Sequence, residues 1–353
     1  MILKETYTKK HIDDILKSIK CDPNILERAI VALGLVEALV RTGCAFIFKG
    51  GSSLMLLLDD INRLSTDCDI IVPTNYNIDE YIKKASIIYP FKSFTHSARK
   101  TNHNISKKHY KFIYDSFYSN NSNIPILLDV LFEDNVYKDT INKEINNKLL
   151  LCDDNPLFVH CPTIEAILGD KLTAFAPETT GIKFYNEDFS NDKKLEVIKQ
   201  FYDIATLYKK CSNFGEIRAN YLSVAKNEIA YRRLNITYKD SLMDTLNSSL
   251  SILSRGKIYP ANYSNFLEGI KKIKNHIFGQ TFTAEIAVNY AADVLLIATG
   301  VLLNIDIINV KIPDGNLFKD DIYKNINYVK KMSKQSFNKA AFAIDTLLKK
   351  GII

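Results

Sequence analysis

Several absences in the 353-residue chain narrow its class. Its six cysteines stand at 21, 44, 68, 152, 161 and 211, with no Cys-x-x-Cys pair and none in the last 142 residues. Such scatter argues against a disulfide framework and against a zinc ribbon. The cysteines read instead as small buried apolar residues in a reducing compartment. Histidines number six and show no metal-ligand spacing. No apolar run approaches the ~18 residues of a membrane span. The opening MILKETYTKKHIDDILKSIK is charged throughout and lacks the apolar core of a signal peptide. A cytoplasmic protein with no membrane partner is the expectation. There is no internal repeat and no low-complexity linker.

What is present is ordinary globular material, 46% apolar and 24% charged. The length suggests about two domains at ~100–200 residues each. The net charge of +6 is unevenly spread. From residue 191 on, Lys and Arg number 24 against 15 Asp and Glu; before it they number 22 against 25. An acidic front and a basic back fit a metal-bearing catalytic lobe beside a lobe that meets a polyanion. A Lys-rich solubilising surface accounts for the same imbalance.

Residues 9–20 and 23–42 carry helical periodicity, the second with Asp22 as N-cap, Pro23 at the first helical position and Gly43 as the stop. Strands are predicted at 44–48, 69–72, 124–132, 148–151 and 157–160, a helix at 78–89, and an antiparallel pair from FKSFTHSARK and KHYKFIYDSFYS. From Pro162 the period lengthens to about 3.6, predicting helices at 163–176, 192–209, 214–233, 238–253, 261–278, 283–300, 318–331 and 335–350. The expected class is α+β, a mixed-sheet lobe over 1–185 followed by an all-helical lobe over 186–353.

Three features carry candidate chemistry. Gly50-Gly51-Ser52-Ser53 lies between a predicted strand and helix, where glycines admit close backbone approach and helix N-terminal amides favour phosphate. A tight strand-to-helix turn explains it as well. Asp67-Cys68-Asp69 opens the next strand, preceded by Arg63 and Ser65. Residues two apart on a strand share a face, and two like charges so close call for neutralisation, for which hard carboxylate oxygens and magnesium suit each other. Alone, the motif is equally a solvated strand start. Asp129 interrupts the apolar strand IPILLDVLF and there implies a salt bridge or a metal. Combined, a glycine-serine turn, Asp-x-Asp and a later strand Asp form the pattern of a two-metal nucleotidyl-transfer site, in which paired ions serve both the attacking and the leaving oxygen. The run His96, Arg99, Lys100, His103, Lys107, Lys108, His109 and Lys111 is basic enough to grip a triphosphate or RNA, or to be a solvated hairpin tip.

On KGGSS…RLSTDCDIIV the front lobe resembles the polymerase-β-like nucleotidyltransferases, and more narrowly the AbiEii/MenT group of toxin nucleotidyltransferases. The 14 residues between Ser52 and Asp67 make a slightly longer gap than is usual for the superfamily. GDKLTAFAPETTG at 169–181 is similar to a further motif of that group and brings in Lys171; KQFYDIATLY at 199–208 is similar to another only at Asp203, with Gln200 or a neighbour where the group carries arginine and a first aspartate. The resemblance covers about residues 45–210. It implies transfer of a nucleoside monophosphate from an NTP to an RNA hydroxyl, the 3′ acceptor end of tRNA, with loss of pyrophosphate and a block of translation. It implies two Mg²⁺ held by Asp67, Asp69 and Asp129. Gly50, Gly51, Ser52 and Ser53 would face the phosphates, Lys171 and Arg63 would neutralise them, and Asp203 would orient Lys171 or the nucleophile. It also implies a cognate antitoxin. Nucleotidylation of a protein or small-molecule hydroxyl, and a non-catalytic partner-binding role, stay open at this level.

Overall fold

The computed structural model describes residues 1–97, 106–134, 137, 139–186, 191–319 and 322–353, so Arg99, Lys100 and His103 of the basic run lie outside the described residues. The chain divides into a unit of Met1–Thr163 with Asn275–Thr281 and a unit of Ile164–Lys274 with Phe282–Ile353.

In the first unit the elements run α1 (Lys9–Ser18), α2 (Pro23–Arg41), β1 (Ile47–Lys49), α3 (Gly50–Leu57), β2 (Cys68–Val72), α4 (Asp79–Ala85), β3 (Ser93–Ser97), β4 (Ser106–Tyr114), β5 (Ile124–Phe132), β6 (Thr140–Glu144) and β7 (Phe158–Pro162). The helix α2 starts as its sequence dictates: the Asp22 carboxylate accepts from the amides of Asn24 and Ile25, and Pro23 needs no amide partner. It is buried along nearly its whole length and packs against β2, β5 and β7. The seven strands form one mixed sheet in the order β3-β4-β5-β2-β1-β7-β6. Strand β2 is antiparallel to β1 and parallel to β5; β4 is antiparallel to β3 and β5.

Strand β5 has two unlike faces. Ile126, Leu128, Val130 and Phe132 are buried, whereas Leu127, Asp129 and Leu131 are half-buried on the other face. A strand expected to be buried throughout is therefore covered on one side only, and Asp129 stands on the open side.

Other departures have local causes. The segment expected as a strand at 148–151 forms none; Leu151 instead takes the Leu3 amide and the Thr6 hydroxyl on its carbonyl. Strand β6, unforeseen, reads TINKE and lies at the sheet edge with no apolar face to betray it.

The second unit contains α5 (Ile164–Ala174), α6 (Lys194–Tyr208), α7 (Phe214–Tyr231), α8 (Tyr238–Leu253), α9 (Tyr263–Ile273), α10 (Ala284–Leu303), α11 (Val329–Met332) and α12 (Lys334–Lys349), and no strand among the described residues. Where a helix is predicted at 318–331, the described residues form only a short 3₁₀ turn and α11. The Asn327 side chain bonds both the amide and the carbonyl of Phe318, a loop closure that competes with helix. One helix, α10, is long and apolar enough to cross a membrane, with mean hydropathy 1.9, but 78% of that window is buried inside the protein. It packs against α6, α8 and α12 as a core helix.

Candidate active site

The candidate site is built on one transverse row of the sheet. Lys49 of β1 is the Cα partner of Asp69 in β2, Asp69 of Asp129 in β5, and Asp129 of His109 in β4. Partners in register show their side chains on the same face. Lys49, Asp69, Lys107, His109 and Asp129 line one cavity of about 180 Å³ on the open face, together with Ile70, Val130 and Leu131. The two strand aspartates, 60 residues apart in sequence, are thus brought side by side.

The glycine turn serves that row. Gly50 has φ of +78°, a left-handed conformation that side-chain-bearing residues avoid, and a Cβ there would run into Asp69 Oδ2. At Gly51 a Cβ would lie 2.6 Å from Arg63 Nη2 and 3.0 Å from Ser65 Oγ. The first glycine makes room for the carboxylate and the second for the guanidinium.

Ser52 and Ser53 are fully buried. The Ser52 hydroxyl donates to the Asp67 carbonyl, tying α3 to the start of β2, and Ser53 donates to the Gly50 carbonyl at 2.9 Å. Arg63 is also buried; it donates to the Leu64 carbonyl at 3.3 Å and its backbone bridges to Ile277 in the returning segment.

Asp67 precedes β2 and does not line the cavity. Its Oδ1 is shielded from solvent without a hydrogen bond, 4.0 Å from Arg28 Nη2 of α2. The Cys68 thiol points to the opposite face and donates to the Ala32 carbonyl. Burial, then the negative charge of Asp69, Asp67 and Asp129, pushes that thiol well above its ordinary range, so Cys68 is inert packing.

Asp69 and Asp129 offer a hard cation the oxygen ligands it prefers, and the solvent-shielded Asp67 Oδ1 without a hydrogen bond is a third such oxygen. The donor chemistry therefore fits magnesium. Among the described residues, however, no three His, Cys, Asp or Glu side chains already converge on one point that would hold an ion.

In the second unit α5 packs on α6, and Lys171 meets Asp203 there at 2.6 Å, with side chains 6% and 2% exposed. Lys171 also donates to Gln200 Oε1 at 3.1 Å. Two residues that the family motifs single out separately are therefore one buried ion pair, and Gln200 completes it.

Lys49 has no motif in the sequence to mark it, and Lys107 and His109 stand there only within a basic run. The signal that marks them is alternation along SKKHYKF. Lys108 and Tyr110 turn to Asp79 at 2.8 and 2.6 Å, and Lys107 and His109 turn to the cavity.

No curated protein matches the sequence. Among solved structures, the nucleotidyltransferase toxin MenT4 from Mycobacterium tuberculosis H37Rv is similar at 11% identity over 95% of this chain and 99% of that one, with a TM-score of 0.47. A family model described as nucleotidyl transferase AbiEii toxin, type IV toxin–antitoxin system, matches residues 35–283, a span that takes in the glycine turn, the aspartate row and the Lys171–Asp203 pair. By that match the chain belongs to the AbiEii family of nucleotidyltransferase toxins.

Proposed function

We propose that this toxin transfers a nucleoside monophosphate from an NTP to an RNA hydroxyl, the 3′ acceptor end of tRNA, releasing pyrophosphate and arresting translation. The observation that carries the reading is the register placing Asp69 beside Asp129 on the open face, against the Gly50 turn. Two half-exposed carboxylates side by side, one of them filling the space of a Cβ at the neighbouring turn, are an arrangement suited to holding cations.

Asp69 and Asp129, joined by Asp67, are the residues to hold two Mg²⁺. Bound there, the ions supply Lewis-acid stabilisation of phosphoryl charge and make a hydroxyl more acidic. The remaining work belongs to the chain. Asp129 is the candidate to take the proton of the attacking hydroxyl. The amides of Gly50 and Gly51, opening α3 ahead of the buried Ser52 and Ser53, suit the β- and γ-phosphates. Lys171 and Arg63 are the cations assigned to the developing charge. The Asp203 carboxylate fixes the Lys171 ammonium, a role that the 2.6 Å pair supports. Action on tRNA places the protein in the cytoplasm, and a toxin of this family has a cognate antitoxin as partner.

Purified protein incubated with Mg²⁺, each labelled NTP, total RNA and a cell lysate tests the reading. Label at the 3′ end of tRNA, lost with EDTA and with Asp69→Ala, is expected. Label on protein or on a small molecule, or transfer that survives Asp69→Ala, overturns it.

A further inference from the structure

We infer that His109 is a positioning residue for Asp129: its ring fixes one carboxylate oxygen so that the other is presented to the cavity. The inference rests on the proposed two-carboxylate site and adds a residue to it.

The geometry is specific. His109 Nδ1 lies 2.6 Å from Asp129 Oδ1, the two residues are Cα partners, and the His109 side chain is only 14% exposed while that of Asp129 is 44% exposed. A carboxylate oxygen only accepts, so Nδ1 carries the hydrogen and donates, whether the ring is neutral or charged. One charge-assisted bond at that distance commits Oδ1 to the histidine. Oδ2 has no hydrogen-bonding partner among the described residues and is the oxygen left for a cation or a substrate proton. A strand carboxylate without such a brace rotates about two χ angles. One braced by a ring on the next strand keeps a single orientation beside Asp69. Outer partners of this kind tune a ligand at the cost of no contact with the reacting atoms.

The cross-strand setting also says which nitrogen acts. With Cα atoms directly opposed, the near nitrogen of the ring reaches the carboxylate. An asparagine amide nitrogen stands at the same bond distance from Cα as Nδ1, and a glutamine amide nitrogen stands farther out, as Nε2 does. Hence His109→Asn is expected to restore what His109→Ala loses, and His109→Gln is not.

The test uses the full chain and two readouts. Steady-state nucleotide transfer is one; Mn²⁺ affinity without nucleotide, followed by electron paramagnetic resonance, is the other. For His109→Ala, Mn²⁺ affinity and kcat are expected to fall by about 10–100-fold with KM for the NTP little changed, and His109→Asn to recover most of both. Thermal unfolding of each variant shows that the fold persists. Equal Mn²⁺ affinity in wild type and His109→Ala, no Mn²⁺ binding by wild type, or equal impairment of the Ala, Asn and Gln variants overturns the inference. Absence of transfer by wild type sinks the functional proposal instead, and the Mn²⁺ series still decides the role of His109.

Discussion

Gly50 shows how little freedom single positions in the site have. Its backbone is left-handed and its missing Cβ is the space Asp69 occupies. Gly50→Ala meets both penalties. It is expected to cost roughly 1–2 kcal/mol from the backbone alone and to displace the carboxylate, lowering nucleotide transfer by at least about tenfold. Urea unfolding and the transfer assay read the two effects separately. Gly43, with φ of the same +78° but no atom within 4 Å of an added Cβ, is the control whose alanine variant loses stability and keeps activity. Gly50 and Gly51 are conspicuous in the sequence, but as candidates to approach a phosphate. That their space is filled by the protein's own Asp69 and Arg63 was not legible, because both residues arrive from beyond the intervening helix.

Between elements, the α5–α6 contact holds a buried ion pair, Lys171 with Asp203. Lys171→Ala takes the ammonium away from the buried Asp203 carboxylate and is expected to destabilise by about 3–5 kcal/mol. Lys171→Ala with Asp203→Ala should lose far less than the sum of the single changes. Denaturant unfolding of the four proteins checks this; simple additivity contradicts the pairing.

The α8 helix makes a second, pH-dependent case. Asp244 Oδ2 accepts from the Glu178 amide at 2.8 Å and the Thr179 hydroxyl at 2.9 Å, but burial outweighs these bonds and raises its pKa from 3.8 to about 6. The folded protein therefore holds a proton between pH 4 and 6 that the unfolded chain releases, and stability falls as pH rises through that window. Asparagine keeps an acceptor for both bonds and cannot ionise. Asp244→Asn should match wild type near pH 4 and exceed it at pH 7 by up to about 3 kcal/mol. Unfolding curves at the two pH values decide it; no relative gain at pH 7 would contradict the burial effect.

Across the whole molecule, the first unit is discontinuous. Residues 275–281 belong to it although the chain between 164 and 274 does not. The Leu64 amide donates to the His276 carbonyl at 2.7 Å and the Phe278 amide to Asn62 at 3.0 Å, while Ile277 and Phe278 are buried. These bonds hold the segment that carries Arg63. A fragment of residues 1–163 lacks them and is expected to unfold at lower temperature than this unit does in the full chain, with amides 61–65 exchanging fastest. Circular dichroism and hydrogen exchange measure both, and an unchanged melting temperature would contradict the expectation. The basic balance after residue 191 belongs to this scale too, since the total charge is read from composition alone and its arrangement on the surface is not.

What the sequence determined by itself was whatever depends on neighbours along the chain. The Asp22-Pro23 helix start, the change of period after Pro162, the antiparallel pairing of the hairpin and the Asp67-x-Asp69 motif are all short-range patterns. Polar strand β6 escaped because an edge strand buries no stripe. Only the tertiary structure decided that Asp69 stands beside Asp129, that His109 bonds Asp129 and that Lys171 pairs with Asp203. Strand register and helix docking are chosen by the burial of whole faces. The side chains that share a cavity are set by that choice, not by the distance between them in the chain.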